Sequence, residues 1–107
     1  MAHYLFQTAY TSEGVSTLVK NPQDRFELVR PAIEAMGGKL VCGYFSFGEY
    51  DVVGIMELPD NVSAAAFAMA VGAAGAVKSF KTTVLITVEE ATAAMAKAGD
   101  STYEPPH

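Results

Sequence analysis

The 107 residues allow one hydrophobic core but not two, and with half of them hydrophobic the chain is not a disordered one. A net charge of −5 with no basic cluster argues against nucleic acid and anionic membranes as partners, and no apolar run reaches the length of a bilayer helix. The single Cys42 rules out an internal disulfide framework and fits a reducing, cytoplasmic setting.

The opening residues alternate as a strand, His3–Tyr10, and lack the basic start and apolar centre of a signal peptide. Its even face carries Tyr4, Phe6 and Tyr10, its odd face His3, Leu5 and Ala9, so neither side is plainly polar. Thr11 or Ser12 starts a short helical turn bearing Val15, Leu18 and Val19. Asn21-Pro22 reads as a restart, with Asn21 as N-cap and Pro22 in the first helical position. Phe26, Val29, Ile33 and Met36 follow at helical spacing, Pro31 is expected to kink this helix, and Gly37-Gly38 ends it.

Tyr44–Leu58, YFSFGEYDVVGIMEL, has two β-rich runs flanking Gly48-Glu49, the pattern of a tight hairpin. A type II′ turn there pairs Phe47 with Tyr50, Phe45 with Val52, Gly43 with Gly54 and Val41 with Met56 on one face. Ser46/Asp51, Tyr44/Val53, Cys42/Ile55 and Leu40/Glu57 fall on the other. Two opposed glycines leave a bare patch, which either admits a neighbouring element or opens a hollow for a ligand; alanine-rich Val62–Ala74 is suited to fill it. Asp60 or Asn61 caps that helix, whose small side chains suggest close packing on more than one side. Ser79–Val88 is a fourth strand, Glu89–Ala98 a last helix, and DSTYEPPH a polar tail.

This order, β-α-β-β-α-β plus a terminal helix, is the α+β ferredoxin-like arrangement of a four-stranded antiparallel sheet with both helices on one face. Residues 1–88 form the domain, with 89–107 as a C-terminal helix and tail packed on it. Both sheet faces are apolar and one chain covers only one of them, so a homodimer built face to face as an α/β barrel is expected.

Gly48-Glu49-Tyr50-Asp51-Val52-Val53, followed by Glu57-Leu58-Pro59-Asp60, resembles the signature of the GYD-domain proteins. Tyr10-Thr11-x-x-Gly14, Pro22-x-x-Arg25, Gly37-Gly38 and Gly75-x-Val77-Lys78 lie where that family's other marks belong, over about residues 3–88. The chain departs from the pattern at Ser79-Phe80-Lys81, where a threonine-rich stretch is expected. The resemblance implies a ferredoxin-like chain of the dimeric α/β-barrel superfamily and little chemistry, since members of the family mostly lack an assigned activity.

No multi-histidine metal site and no calcium loop can be assembled from these residues, no phosphate-cradling glycine motif is present, and no cofactor is implied. His3 and Asp51 are the candidates for catalysis, weighed against a surface role for His3 and a corner-bracing role for Asp51, with Arg25 as its charge partner. Cys42 reads as a small core residue. Tyr4, Phe6, Gly43, Phe45, Gly54, Met56 and Phe67 could line a pocket for a small apolar or aromatic molecule; a packed core uses the same residues. Two functions follow: a small-molecule-binding module with its pocket between sheet and helices, or a cofactor-independent enzyme of oxygenase or isomerase type acting on a small aromatic or polyketide-like compound, the latter by fold analogy.

Overall fold

A computed structural model of the chain describes residues 1–106; His107, part of the expected tail, lies outside the described residues. Strands β1 (Ala2–Tyr10), β2 (Lys39–Phe45), β3 (Val52–Leu58) and β4 (Val77–Leu85) form one antiparallel sheet in the order β2-β3-β1-β4. Helices α1 (Ser12–Lys20) and α2 (Phe26–Ala35) link β1 to β2, α3 (Asn61–Ala73) links β3 to β4, and α4 (Val88–Gly99) follows β4. This is the ferredoxin-like α+β order.

The helix starts obey side-chain capping. Thr11 accepts from the Gly14 N–H at 3.0 Å, Asp60 from the Ser63 N–H at 2.8 Å, and Thr87 and Glu90 form a reciprocal capping box. Helix α2 begins later than Asn21-Pro22 suggests, because Asp24 Oδ1 accepts the Phe26 N–H at 2.9 Å while the Asn21 N–H closes α1 on Thr17. The helix runs on through Pro31, whose side chain is exposed. Helix α3 packs on one side only: Ala64 and Phe67 are buried, whereas Ala65, Ala66 and Met69 face outward.

The hairpin keeps most of its expected register. Gly43 pairs with Gly54, Phe45 with Val52, Tyr44 with Val53 and Cys42 with Ile55. A bulge at Val41 shifts the far end, so Leu40 rather than Val41 faces Met56 and Val41 turns outward. The turn is wider than two residues. The Ser46 N–H donates to Asp51 O at 2.9 Å and its hydroxyl to Tyr50 O at 2.8 Å, leaving Phe47–Tyr50 as a loop that Gly48 bends at φ +139°. Asp51 cannot join a tighter turn because its own N–H donates to Thr8 O on β1 at 2.8 Å. Its carboxylate accepts the Tyr10 N–H at 2.9 Å, just where the β1–β4 register slips, so it braces the corner through the backbone and not through Arg25.

The helix-covered face holds the core: Tyr4, Phe6, Phe26, Ile33, Met56, Leu58 and Phe67. The Gly43/Gly54 gap is filled, although not by α3. A methyl group on Gly43 would fall inside the Phe26 ring, and one on Gly54 inside the Phe6 ring. Among the described residues no element covers the opposite face, which carries Leu5, Val53, Ile55, Tyr44 and Leu85 around the His3–Glu57 pair. Helix α4, expected to lie on the domain, buries no side chain, and the molecule is elongated, 57 × 35 × 22 Å.

Gly54→Ala is expected to lower stability by about 1–3 kcal/mol, since the new methyl would overlap the Phe6 ring, which Phe67 and Phe80 pack against, and Cys42 O stands 3.0 Å from it. An unchanged urea midpoint would refute this packing. Asp51→Ala strands the Tyr10 N–H and is expected to cost about 1–3 kcal/mol in the same assay.

Candidate functional site

The two packed helices do not lie side by side. Helix α2 rests mainly on β2 and α3 mainly on β4, toward opposite edges of the sheet; their buried side chains still cover Tyr4, Phe6, Met56 and Leu58 of the middle strands, but a gap remains between the helices. The gap between them is a cleft of about 240 Å³. Its floor is Phe6, Thr8, Tyr10 and Val52; one wall is Phe26, Val29 and Ala32 of α2 with Met36 just past its end, the other Phe67, Ala70 and Val71 of α3 with Ala74 just past its end. Small residues on the walls are the sequence cause, because a helix that presents alanine leaves room that leucine would fill.

Aromatic contacts hold the floor and the α3 wall. Phe6 stacks on Phe80, with ring centroids 6.1 Å apart and planes 9° apart, and Phe67 meets both edge-on at 6.5 and 5.8 Å. On the other side Phe26 meets Phe45 edge-on at 5.7 Å. Each such pair adds about 0.5–1.5 kcal/mol beyond its buried area, so these walls are stiff. Thr8, Tyr10 and Arg25 are the side chains that bring polar atoms to the lining.

Of the residues singled out from the sequence, Phe6 and Phe67 line this cleft. Tyr4 and Met56 are buried in the core beside it, Tyr4 donating its hydroxyl to Asn61 Oδ1 at 2.7 Å. Gly43 and Gly54 lie beneath the Phe26 and Phe6 rings, and Phe45 supports Phe26 from a half-exposed position. His3 stands on the uncovered sheet face, its Nε2 3.0 Å from Glu57 Oε1. Asp51 lies at a separate polar hollow with Tyr10, Ser12, Gly48, Glu49 and Lys78. The two candidates for catalysis are thus apart from the cleft and from each other. Sequence reasoning does not reach Arg25, Val29, Met36 and Val71 as site residues. The apolar three are visible only as helix residues, and Arg25 only through Pro22-x-x-Arg25 and as an expected charge partner of Asp51.

No helix among the described residues is long and apolar enough to cross a membrane, and no group of three or more His, Cys, Asp or Glu is placed to hold a metal ion.

Two solved structures share the fold. One, the crystal structure of FFRP-DM1, superposes with a TM-score of 0.51 over 80% of this chain and 100% of its own, at 14% identity. The other, a hypothetical protein from Pyrococcus horikoshii, gives 0.52 over 81% and 92%, at 15% identity. Among curated proteins, the "Glutamine synthetase and cystathionine beta-lyase binding protein" of Thermus thermophilus is 29% identical over 79 residues, 74% of this chain and 83% of that one. The GYD domain model matches residues 4–95, most of the sheet and helices just described, and the chain belongs to the GYD domain family.

Proposed function

We propose that this protein is a homodimeric small-molecule-binding module whose pocket is the cleft between α2 and α3. The observation that carries this reading is the cleft itself: about 240 Å³, lined almost wholly by apolar side chains on stiff aromatic supports. An apolar cavity of about 150 Å³ already takes benzene, so this one is large enough for a small aromatic or aliphatic molecule. The enzyme reading draws less support, because His3 and Asp51 lie outside the lining and the Asp51 carboxylate is engaged by the Tyr10 N–H. The Thermus thermophilus relative is named for binding two enzymes, which is a precedent for binding in a related chain but for protein partners, not for a small molecule.

Dimerisation is supported by surface area. The chain exposes 7368 Å², about 1,600 Å² more than a compact monomer of its mass. Obligate dimers cover about 1,000–2,500 Å² per partner, so the surplus is of the size one interface removes. The uncovered sheet face supplies Leu5, Val53, Ile55 and Leu85 to such an interface, and α4 offers Val88 and Met95. A reducing cytoplasmic setting suits the unpaired Cys42.

Light scattering on dilute protein is expected to give twice 11.3 kDa, and a monomer would refute the dimer. Native mass spectrometry of freshly purified protein is expected to show a retained small molecule. Ala70→Phe, which fills the cleft from an exposed wall position, is expected to abolish that adduct while leaving the unfolding free energy within about 0.5 kcal/mol of the parent's. An adduct that survives the substitution would place the site elsewhere.

A further inference from the structure

The cleft carries one charge. Arg25 stands at the start of α2, half-buried, and its side chain contributes to the lining beside Leu28 and Val29. Among the described residues its guanidinium has no carboxylate within ion-pair distance and donates no hydrogen bond; the ion pairs present are His3–Glu57 and Arg30–Glu27. The acid nearest in sequence, Asp24, has Oδ1 committed to the Phe26 N–H at 2.9 Å. No Asp or Glu lines the cleft, so nothing in it neutralises this cation.

A guanidinium stays charged at any physiological pH and presents a planar fork of donors matched to a carboxylate. Held half out of water beside apolar walls, it gains more from an anion than a fully solvated arginine would. Thr8 and Tyr10 add hydroxyls to the same lining. The remainder is hydrocarbon: Phe6, Phe67, Val71, Val29 and Met36.

We infer that the ligand is an amphipathic monocarboxylic acid, its carboxylate held by Arg25 and its apolar body seated between α2 and α3. This rests on the reading of the cleft as the binding pocket and adds the chemical class of the ligand. Size narrows the class. Scaling from a benzene-sized cavity of about 150 Å³, the cleft holds roughly ten non-hydrogen atoms. That is an aromatic ring with a short acid side chain, or a medium-chain fatty acid.

The test uses 3-phenylpropanoate and octanoate against their neutral counterparts, 3-phenylpropan-1-ol and octan-1-ol. Each is titrated at pH 7 into the full-length protein and followed by the backbone amide shifts of Val29, Phe67 and Ala70. At least one acid is expected to bind about tenfold or more tightly than its alcohol, as a charge-assisted hydrogen bond allows. Arg25→Gln is expected to remove that preference while leaving the alcohol's affinity unchanged, and Arg25→Lys to restore part of it. If acids and alcohols bind alike, the pocket stands and the assignment of the class is overturned. A preference that survives Arg25→Gln overturns the assignment equally, since the anion is then held elsewhere. If neither acid nor alcohol shifts the cleft residues, the pocket reading and this inference fall together.

Discussion

Two phenyl rings, each set on one of two facing glycines, make the contact from which the rest of this architecture follows. Gly43 and Gly54 oppose each other on adjacent strands, and Phe26 of α2 covers the first while Phe6 covers the second. A side chain at either glycine would lift its ring off the sheet. With both absent, α2 can seat its first residue directly on β2, at the edge of the sheet. Ile33, one face-repeat further along α2, is fully buried and keeps the helix on that line. Helix α3 is drawn to the opposite edge because Phe67 packs against Phe6 and Phe80. The cleft is what lies between two helices anchored at opposite edges.

This origin explains the character of the cleft. Its floor belongs to strands whose positions are fixed by hydrogen bonds on both sides, and its walls to helices held by buried aromatic rings. A site of this kind is preorganised, so little ordering entropy is lost when a ligand enters. It is also poor in proton-transfer groups. The ionisable residues with geometry suited to chemistry, His3 with Glu57 and the Asp51 cluster, are occupied in bracing the uncovered face and the hairpin corner. An apolar cleft with one cation suits the recognition proposed for it.

Much of the fold is legible in the residues because the signals are local and periodic. Strand alternation sorts the residues of β1 and β3 into two faces without saying which one meets the helices, and Gly48-Glu49 centres the hairpin so that Gly43 meets Gly54 although the turn is wider than expected. Legibility stops where tertiary geometry takes over. The bulge at Val41 leaves no mark in composition, and the turn is widened by Thr8, which reaches Asp51 from 43 positions earlier in the chain. Asn21-Pro22 carries every local mark of a helix start, yet α2 begins after Arg25, with Asp24 accepting the Phe26 N–H. The cleft is the hardest feature to foresee. Phe6 and Phe67 can be named as candidates, but a packed core and a pocket wall use the same side chains. Which one they form depends on how far apart the helices sit, and that separation is set by Phe26 and Phe67 rather than by any motif.

The separation of α2 and α3 is also the point most open to direct measurement. Xenon enters dry apolar cavities and leaves polar or collapsed ones empty. In a crystal of this protein held under xenon pressure, the expected result is density between Val29 of α2 and Val71 of α3, above Phe6, with the helices still resting at opposite edges of the sheet. Helices in mutual contact over β1 and β3, with no xenon between them, would contradict it.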